Sequence, residues 1–456
     1  MRPLIKYLLM LPLGFLAGDL AAQTVPAPAV ELTLKEALNY ALKNNQNVRK
    51  AQLDIQGGRY KTDEVRAGAL PQVNGSASLT DQMIKPQFVL PGDALGRPGE
   101  LVTLESGTTY SANAGVTVNQ QLFNQQVFTG LKAAKASESF YGLSAELTEE
   151  NVLQQAATAY YQVLVTRQQL GVIDANIRSV QQVEKTVADQ FKNGLAKRID
   201  LDRVRVNLTN LQTQREQLLN SVTQQENGLK YVIGMPVHTP VIIPDAELTA
   251  VESQAHAQLS DSVNVEAKTE YQLLKKQEDL LKLQKKAIEA EYYPSLGLVG
   301  NYSYNSISNK FDFHKSNGTS FGYDMASVGL SLRIPIFNGG ATKARIRQAD
   351  IDLLQVQEDL KNTRQSLNLA NENAKLQIRN SLNTISLQAE NVRLAEEVYK
   401  STQNNYQNGL ASLTDLLDAE TARTAAQNSY SQALLNYKLA EIQITKANGN
   451  IKSLLN

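Results

Sequence analysis

Four segments alternate apolar and polar residues with a period of two, which predicts β-strands at residues 73–80, 110–122, 296–304 and 326–336. In the second segment one face carries mainly Ala and Val, and the other carries Ser, Asn, Gly, Thr and Gln. Strands of about ten residues with one apolar face and one small, polar face are typical of a transmembrane β-barrel. A soluble sheet alternates too, but the scarcity of charges on the polar face favours a barrel around a water-filled lumen.

Between the strand pairs the apolar positions change to helical spacing over very long stretches. The segments after Phe123 and Phe337 contain no internal Pro, and at 1.5 Å per residue each could extend roughly 100 Å. Beyond Gly194, apolar residues recur at 3-4 spacing through residues 201–222, which predicts a coiled-coil seam. The first helix begins with the capping-box pattern of Thr33 and Glu36.

The chain carries this pattern twice. Residues 191–201 read FKNGLAKRIDL and residues 406–416 read YQNGLASLTDL, so six of eleven positions are identical. A repeat of near 200 residues indicates a duplicated half of a fold rather than a solenoid unit. We therefore divide the chain after its leader into a first repeat at residues 23–233, a linker at 234–265, a second repeat at 266–447 and a C-terminal tail at 448–456.

The leader itself, residues 1–22, has the order of a secretory signal. Arg2 and Lys6 precede an apolar run at residues 7–16, and small residues follow up to Ala22. The run is too short to span a bilayer. A buried N-terminal helix is the alternative, but the polar, Pro-containing stretch at residues 23–29 favours a cleaved signal and export.

Composition narrows the class of function. The 456 residues include 45 Lys+Arg and 45 Asp+Glu, and this charge balance argues against nucleic acid as a partner. The chain has no Cys and only three His, at separate positions, which leaves no pattern for a metal site, a cofactor site or a catalytic centre. We therefore expect no enzyme activity, no cofactor and no bound metal.

Four strands cannot close a barrel, and open sheet edges cannot face lipid. Several chains must then contribute strands. Two copies would give eight strands, whose interior is nearly filled by side chains, whereas three copies would give twelve strands and a lumen. A pore therefore favours a homotrimer with four strands from each chain. Residues 81–109 and 305–323 would form outer loops, and the long helices would extend into the periplasm.

The order of these motifs resembles the TolC-like outer-membrane efflux proteins. The resemblance covers about residues 31–450. It rests on features that the sequence shows in family order: the opening Leu32-Thr33-Leu34-x-Glu36-Ala37-Leu38, the corners at Pro71 and Pro294, the corners at Phe123-Asn124 and Phe337-Asn338-Gly339-Gly340, both Asn-Gly-Leu-Ala tips, and Ile233-Gly234-x-Pro236.

The resemblance implies a mixed α and transmembrane β fold: a trimeric 12-stranded β-barrel continued by a long periplasmic α-helical coiled-coil barrel. The linker and the C-terminal tail would lie at the equator of that tunnel. The family's members are exit ducts in the outer membrane of Gram-negative bacteria. The resemblance therefore implies docking to a periplasmic adaptor protein, and through it to an inner-membrane transporter of the RND, ABC or MFS type, in efflux or type I secretion.

Candidate selectivity residues lie at the second tip. The family carries a Thr-Asp-x-Leu-Asp segment there, matched by residues 414–418. In a trimer, Asp415 and Asp418 would make two rings of three carboxylates, which favour cations. Asp415 and Asp200 hold equivalent places before new helices, where Asp is a common cap. Asp418 has Arg203 as its counterpart, so it is the better selectivity candidate, against the alternative of a solvated helix face.

A candidate gate latch also follows from the resemblance. The family closes its mouth with polar links between the coils, and Tyr406 and Asp200 match two of the positions. A family Arg is not matched, because Ala411 stands in its place. The resemblance therefore predicts a hydrogen bond from Tyr406 to Asp200, while Tyr406 could also be an ordinary seam aromatic.

The tip turns themselves are the candidate docking sites. Leu195 follows Gly194 and Leu410 follows Gly409, which would leave an apolar side chain on each turn. Such a residue is either a helix-end staple or a docking knob, and the family uses this segment for adaptor docking. The main alternative for the whole chain is a soluble exported coiled-coil scaffold without a pore; an exported hydrolase would need a nucleophile and a base that the sequence lacks.

Overall fold

The computed structural model describes residues 30–244, 264–311 and 320–455. The predicted signal at residues 1–22, most of the predicted linker and the last residue of the tail lie outside these described residues. In the first half the elements are, in chain order, β1 (Val30–Glu31), α1 (Leu34–Asn44), α2 (Gln46–Ala67), β2 (Gln72–Asp81), β3 (Gln87–Pro91), β4 (Leu101–Glu105), β5 (Tyr110–Phe123), α3 (Gln125–Lys192) and α4 (Arg198–Ile233).

Among the described residues, the second half repeats this order without counterparts of α1 and of the β3–β4 hairpin. After the short β6 (Val241–Ile242) come α5 (Thr269–Glu289), β7 (Ser295–Ser308), β8 (Ser320–Arg333), α6 (Ala341–Gln407) and α7 (Leu413–Ala447). The long helices α3 and α6 have 68 and 67 residues. At 1.5 Å per residue each is roughly 100 Å long, as the uninterrupted helical spacing predicts.

The boundary between α1 and α2 has a local cause. The predicted capping box is present, because the Thr33 hydroxyl accepts a hydrogen bond from the Glu36 backbone N–H and the Glu36 carboxylate accepts one from the Thr33 N–H. Asn45 then leaves helical geometry, and its side-chain oxygen accepts hydrogen bonds from the N–H groups of Asn47 and Val48. Asn45 therefore ends α1 and caps α2.

Four strands form one antiparallel sheet in the order β2-β5-β7-β8. In the middle of the sheet the register places polar residues of all four strands on one face: Asn74 pairs with Thr117, Thr117 with Asn301, and Asn301 with Ser327. The neighbouring row on the opposite face contains Val73, Val118, Gly300 and Val328. The one-sided polarity that the period-two pattern predicts thus holds in the middle of the sheet. Near the start of β8 it breaks down, because Asp324 lies on the same face as Val328, whereas Phe321, Tyr323 and Met325 lie on the same face as Ser327.

Three predicted strand boundaries are wrong. The last strand ends at Arg333 rather than at Ile336, because Pro335 has no N–H to donate to the sheet. The second outer loop is shorter than residues 305–323, since β7 continues to Ser308 and β8 begins at Ser320. The first outer loop is not irregular throughout: β3 and β4 pair within it as an antiparallel hairpin.

The helices pack in two sets of four that share α3 and α6. Toward the sheet the neighbours are α2, α3, α5 and α6, and toward the tips they are α4, α3, α7 and α6. The largest apolar cluster lies where the sets meet and includes the fully buried Leu38, Tyr160, Leu164, Leu229 and Ile233. The parallel pair of β1 and β6 closes the same region.

No helix in the described part of the chain combines the length and the apolar character needed to cross a membrane.

Candidate functional site

The two tip turns have the same backbone geometry. Helix α3 ends at Lys192 and α6 at Gln407, and the glycine that follows in each turn has a positive φ, 74° at Gly194 and 73° at Gly409. The next N–H reaches back into the helix: Leu195 donates to the Gln190 carbonyl at 2.8 Å, and Leu410 to the Asn405 carbonyl at 2.7 Å. Glycine at this left-handed position lets each helix stop within one turn.

The leucines after these glycines point into open space. Leu195 is 80% exposed and Leu410 is 78% exposed, and neither belongs to the apolar cluster behind the tips. That cluster consists instead of Val183, Val187, Leu201, Leu413 and Leu416 with their neighbours. In a single chain the two leucines therefore do not act as staples for the helix ends.

The two tip aspartates, Asp200 and Asp415, lie inside the first turn of their helices, not before it. The residues that precede the helices are Lys197 and Ser412. The Asp415 carboxylate accepts hydrogen bonds from the Ser412 N–H at 2.9 Å and the Ser412 hydroxyl at 2.7 Å, completing a capping box. These bonds lower the pKa of Asp415 below its usual value. Asp200 accepts only the Lys197 N–H, at 3.3 Å.

Asp418 lies one turn further along α7 and is exposed. Within the described part of the chain its carboxylate has no hydrogen bond and no ion pair. Its counterpart Arg203 donates across to the Thr414 hydroxyl at 3.3 Å, so the two tips contact each other beside Asp418. The structure thus gives Asp415 a helix-capping role and leaves the Asp418 charge unneutralised.

The predicted hydrogen bond from Tyr406 to Asp200 is not formed. The Tyr406 hydroxyl donates to the side-chain oxygen of Gln190 at 3.3 Å, which links the ends of α6 and α3. Partial burial and the nearby negative charge of Asp200 raise the pKa of Tyr406. Asp200 is therefore close enough to act on Tyr406 through its charge, but the hydrogen-bond acceptor is a residue that sequence analysis missed.

A buried polar junction lies behind the tips and joins three helices. Arg423 of α7 stacks on the Tyr399 ring of α6, with its guanidinium carbon 3.9 Å from the ring centroid, and donates to the Asn176 side chain of α3 at 2.9 Å. Asn176 donates in turn to the Thr424 hydroxyl at 2.7 Å, and Ser179 bonds the Tyr399 hydroxyl at 2.7 Å. Arg423 interrupts the apolar seam of α7, which is the one sequence signal that could have located the junction.

The polar face of the sheet is the candidate channel wall. Asn113 donates to Asn305 at 2.5 Å, and Thr117 donates to Asn301 at 3.2 Å, so side-chain hydrogen bonds cross from β5 to β7 along this face. The residues are neutral and hydrophilic, as is typical of a wall that faces water. In the described residues no group of three or more His, Cys, Asp or Glu side chains could hold a metal ion.

Comparison with known proteins identifies the family to which this chain belongs. A sequence profile described as "Outer membrane efflux protein" matches residues 37–235 and 276–450. The chain belongs to the outer membrane efflux protein family.

Individual relatives of this efflux protein match over most of their length. The outer membrane protein TolC of Vibrio cholerae serotype O1 is 21% identical over 427 residues, covering 92% of this chain and 91% of TolC. The alkaline protease secretion protein AprF of Pseudomonas aeruginosa is 23% identical over 427 residues, covering 90% of this chain and 83% of AprF. The crystal structure of VceC from Vibrio cholerae has a TM-score of 0.71 and 15% identity, covering 91% of this chain and 96% of VceC.

The relatives decide between the functions that the sequence left open. The efflux protein is an outer-membrane protein of a Gram-negative bacterium and serves as an exit duct in efflux or secretion. Members of the family work with adaptor proteins and inner-membrane transporters, and the family is not one of enzymes. The alternative of a soluble exported scaffold is therefore wrong.

Proposed function

We propose that three copies of this efflux protein form one continuous duct, with a 12-stranded β-barrel in the outer membrane and an α-helical tunnel in the periplasm. The one-sided polarity of the four-stranded sheet carries this proposal. Its apolar face suits lipid, and its polar face suits a water-filled lumen. Strands β2 and β8 are the edges of the sheet in one chain, and lipid does not tolerate open edges.

Native mass spectrometry of the full-length protein in detergent tests the assembly. The expected mass is three times that of the processed chain, since two copies would give a barrel whose interior is filled. Planar-bilayer recording of the same sample should show channels. A monomer that dissolves without detergent and forms no channels would refute both the trimer and the barrel.

The exposed tip leucines support a second part of the proposal, which is docking of a periplasmic adaptor. Single exposed apolar side chains are common on protein surfaces. What supports docking is that both tips present a leucine at the same place in the same turn, in the segment that the family resemblance assigns to adaptor docking. The motif around Gly194 and Leu195 and the motif around Gly409 and Leu410 would give a trimer six such tips. The adaptor would connect the duct to an inner-membrane transporter of the RND, ABC or MFS type.

A photo-crosslinking residue at Leu410 tests docking in living cells. We expect capture of an adaptor protein, whose companion transporter would identify the cargo. A second probe at Phe191, which is exposed before the turn, tests whether contact is confined to the turn. Capture of only other copies of this chain would mean that Leu410 packs within the trimer and does not dock.

We expect the inner-membrane partner, rather than the duct, to determine which cargo is exported. The name of the family refers to efflux, whereas the name of AprF refers to secretion of an alkaline protease. These proteins share the same architecture, so the duct fold serves different cargo. Within the duct we propose Asp418 as the residue that favours cations, because its carboxylate is exposed and takes no part in a cap.

A further inference from the structure

A cavity with a mixed apolar and polar lining lies in the helical body, where α5 begins and α7 ends. It has a volume of about 420 Å³ and lies between these two helix ends and the long helices α3 and α6. Alanine and leucine side chains contribute to its wall, together with amide side chains that include Gln154, Gln377 and Gln443. Three charged side chains also line it, namely Lys268, Glu270 and Lys446.

Lys268 is the unusual member of this group. The residue is only 6% exposed, and among the described residues nothing accepts a hydrogen bond from its ammonium or forms an ion pair with it. It directly precedes the first residue of α5, so its charge also lies at the positive end of that helix. Burial lowers the pKa of Lys268, the attraction of Glu270 acts against this, and repulsion from Lys446 adds to it. A buried cation without a partner is costly.

The other charges around the cavity are already accommodated. Lys446 donates to Asn151 and to Gln154, each at 2.7 Å, and lies in the last turn of α7, where a cation is favourable. Glu270 lies in the first turn of α5, where an anion is favourable, and is half-buried. Glu150 accepts a hydrogen bond from the Thr269 hydroxyl at 2.8 Å. Of the charged side chains that line the cavity, two are positive and one is negative. Lys268 is the one of these two lysines whose ammonium has no hydrogen-bond acceptor among the described residues.

We propose that this cavity binds a small oxyanion, with the Lys268 ammonium as the principal ligand and Lys446 and the amide N–H groups as further donors. A carboxylate and a phosphate present the same chemistry to an ammonium and to amide donors. Either anion would supply the charge that Lys268 lacks. The Glu270 carboxylate opposes binding, which restricts the site to anions small enough to avoid it. This binding site is independent of the duct function.

Thermal unfolding of the purified full-length protein in detergent tests the site. Sodium phosphate is titrated against sodium chloride at constant pH and ionic strength, and a second series uses sodium acetate. A ligand that binds the folded protein raises its unfolding midpoint in a saturable manner. We expect saturation with at least one of the two oxyanions, and the comparison shows whether phosphate or carboxylate is preferred. The absence of a saturable shift with either oxyanion would refute the proposal.

Single-residue variants test whether the oxyanion-dependent shift of the unfolding midpoint arises at Lys268. Lys268→Met should abolish the oxyanion-dependent shift and raise the midpoint in oxyanion-free buffer, because it removes a buried, unpaired charge. Lys286→Met, at an exposed lysine of the same helix, should leave the shift unchanged. Persistence of the full shift in Lys268→Met would refute the site.

Glu270→Gln provides a test that does not depend on the folding of the lysine variant. Loss of the opposing carboxylate should lower the oxyanion concentration that gives half of the shift. An unchanged or higher half-saturating concentration would contradict the proposed position of the anion. A merely structural role of Glu270 would alter the midpoint itself but not its dependence on the oxyanion.

Discussion

At the scale of single residues, two buried glutamates have opposite electrostatic environments. Glu420 of α7 is 3% exposed, and its one hydrogen bond, from Asn207, is long at 3.4 Å. Burial raises the pKa of Glu420, although Asn207 and Arg423 act against this. Glu278 of α5 is 4% exposed and accepts Lys275 at 2.6 Å and Lys282 at 2.8 Å. Those contacts lower the pKa of Glu278 to about 2.

Glu420→Gln should stabilise the protein near neutral pH. A raised pKa means that the folded state binds the proton more tightly than the unfolded chain, so the ionised carboxylate destabilises the fold. The gain in the free energy of unfolding should reach its full value at pH values above the pKa of Glu420 in the folded protein. It should disappear as the pH falls below the pKa of glutamate in the unfolded chain, about 4.3. The midpoint of thermal unfolding, followed by circular dichroism across this pH range, measures it.

Glu278→Gln is the matched control with the opposite sign. Its lowered pKa means that the ionised carboxylate stabilises the fold above the unfolded pKa, and that this stability is lost as the pH falls toward about 2. The variant should therefore lower the unfolding midpoint near neutral pH. If both substitutions shift the midpoint in the same direction, the proposed difference between the two sites is wrong.

Asp418→Asn should reduce cation preference without weakening the tip. The exposed carboxylate forms no cap, so the substitution removes charge and little else. Reversal potentials in a planar bilayer under a salt gradient measure the effect. Asp415→Asn is the comparison, because it also disturbs the capping box with Ser412 and should lower stability. An unchanged reversal potential in Asp418→Asn would exclude it as a selectivity residue.

Tyr406→Phe should raise single-channel conductance if the link between α6 and α3 holds the mouth closed. The substitution removes the hydroxyl that donates to Gln190 and keeps the ring packed against the tip cluster. Gln190→Leu should have the same effect, because it removes the acceptor. Asp200→Asn should have a smaller effect, since Asp200 acts only through its charge. Wild-type conductance in Tyr406→Phe would show that the link is not a gate.

At the scale of elements, the two tips differ in how their second helix begins. Helix α7 starts with the reciprocal bonds of Ser412 and Asp415. Helix α4 follows Lys197, whose side chain forms no cap and adds a positive charge at the positive end of the helix. The first tip therefore has the weaker helix start, although its turn has the same glycine geometry.

Lys197→Ser should strengthen that start. A serine before α4 can accept a hydrogen bond from the first turn, which is worth about 1 kcal/mol. Native-state hydrogen exchange should then slow for residues 198–201, which in the wild type should exchange faster than residues 413–416. The second tip provides the internal control, because its exchange should not change. Equal exchange of both tips in the wild type would contradict the difference in capping.

At the scale of the whole molecule, the two faces of the sheet are explained by the environments that they would contact in the proposed barrel. Val328 is 78% exposed in one chain, and Leu330 and Leu332 on the same face of β8 are exposed as well. Ser327 precedes Val328 on the same strand and lies on the polar face beside Asn301. In the proposed barrel these neighbours face lipid and lumen, respectively.

Val328→Arg should therefore impair assembly in the outer membrane, whereas Ser327→Arg should not. A basic residue on the lipid face costs about 2–4 kcal/mol near the bilayer midplane, and a lumen residue affects mainly selectivity. The amount of folded trimer in outer-membrane fractions measures the first effect. Reversal potential measures the second, with lower cation preference expected for Ser327→Arg. Equal assembly of both variants would mean that the faces are not sorted in this way.

The sequence alone determined the long helices, the four strands of the main sheet and their order. Strand faces follow from a period of two, and long helices follow from helical spacing without Pro, so both are set by residues close together in the chain. The tips follow from Asn-Gly turns for the same reason. The last strand ends at Arg333, although the alternation continues to Ile336, because Pro335 cannot donate to the sheet. The β3–β4 hairpin is not predicted, because its segments do not alternate clearly.

Tertiary structure decided which side chains meet. Tyr406 bonds Gln190 across 216 positions, and Arg423 bonds Asn176 across 247 positions, so no local pattern could have paired them. The cavity at Lys268 exists because one helix ends where another begins beside two long helices. Periodicity specifies the face on which a residue lies. Only packing specifies the opposing residue, and with it the hydrogen bonds and the pKa shifts.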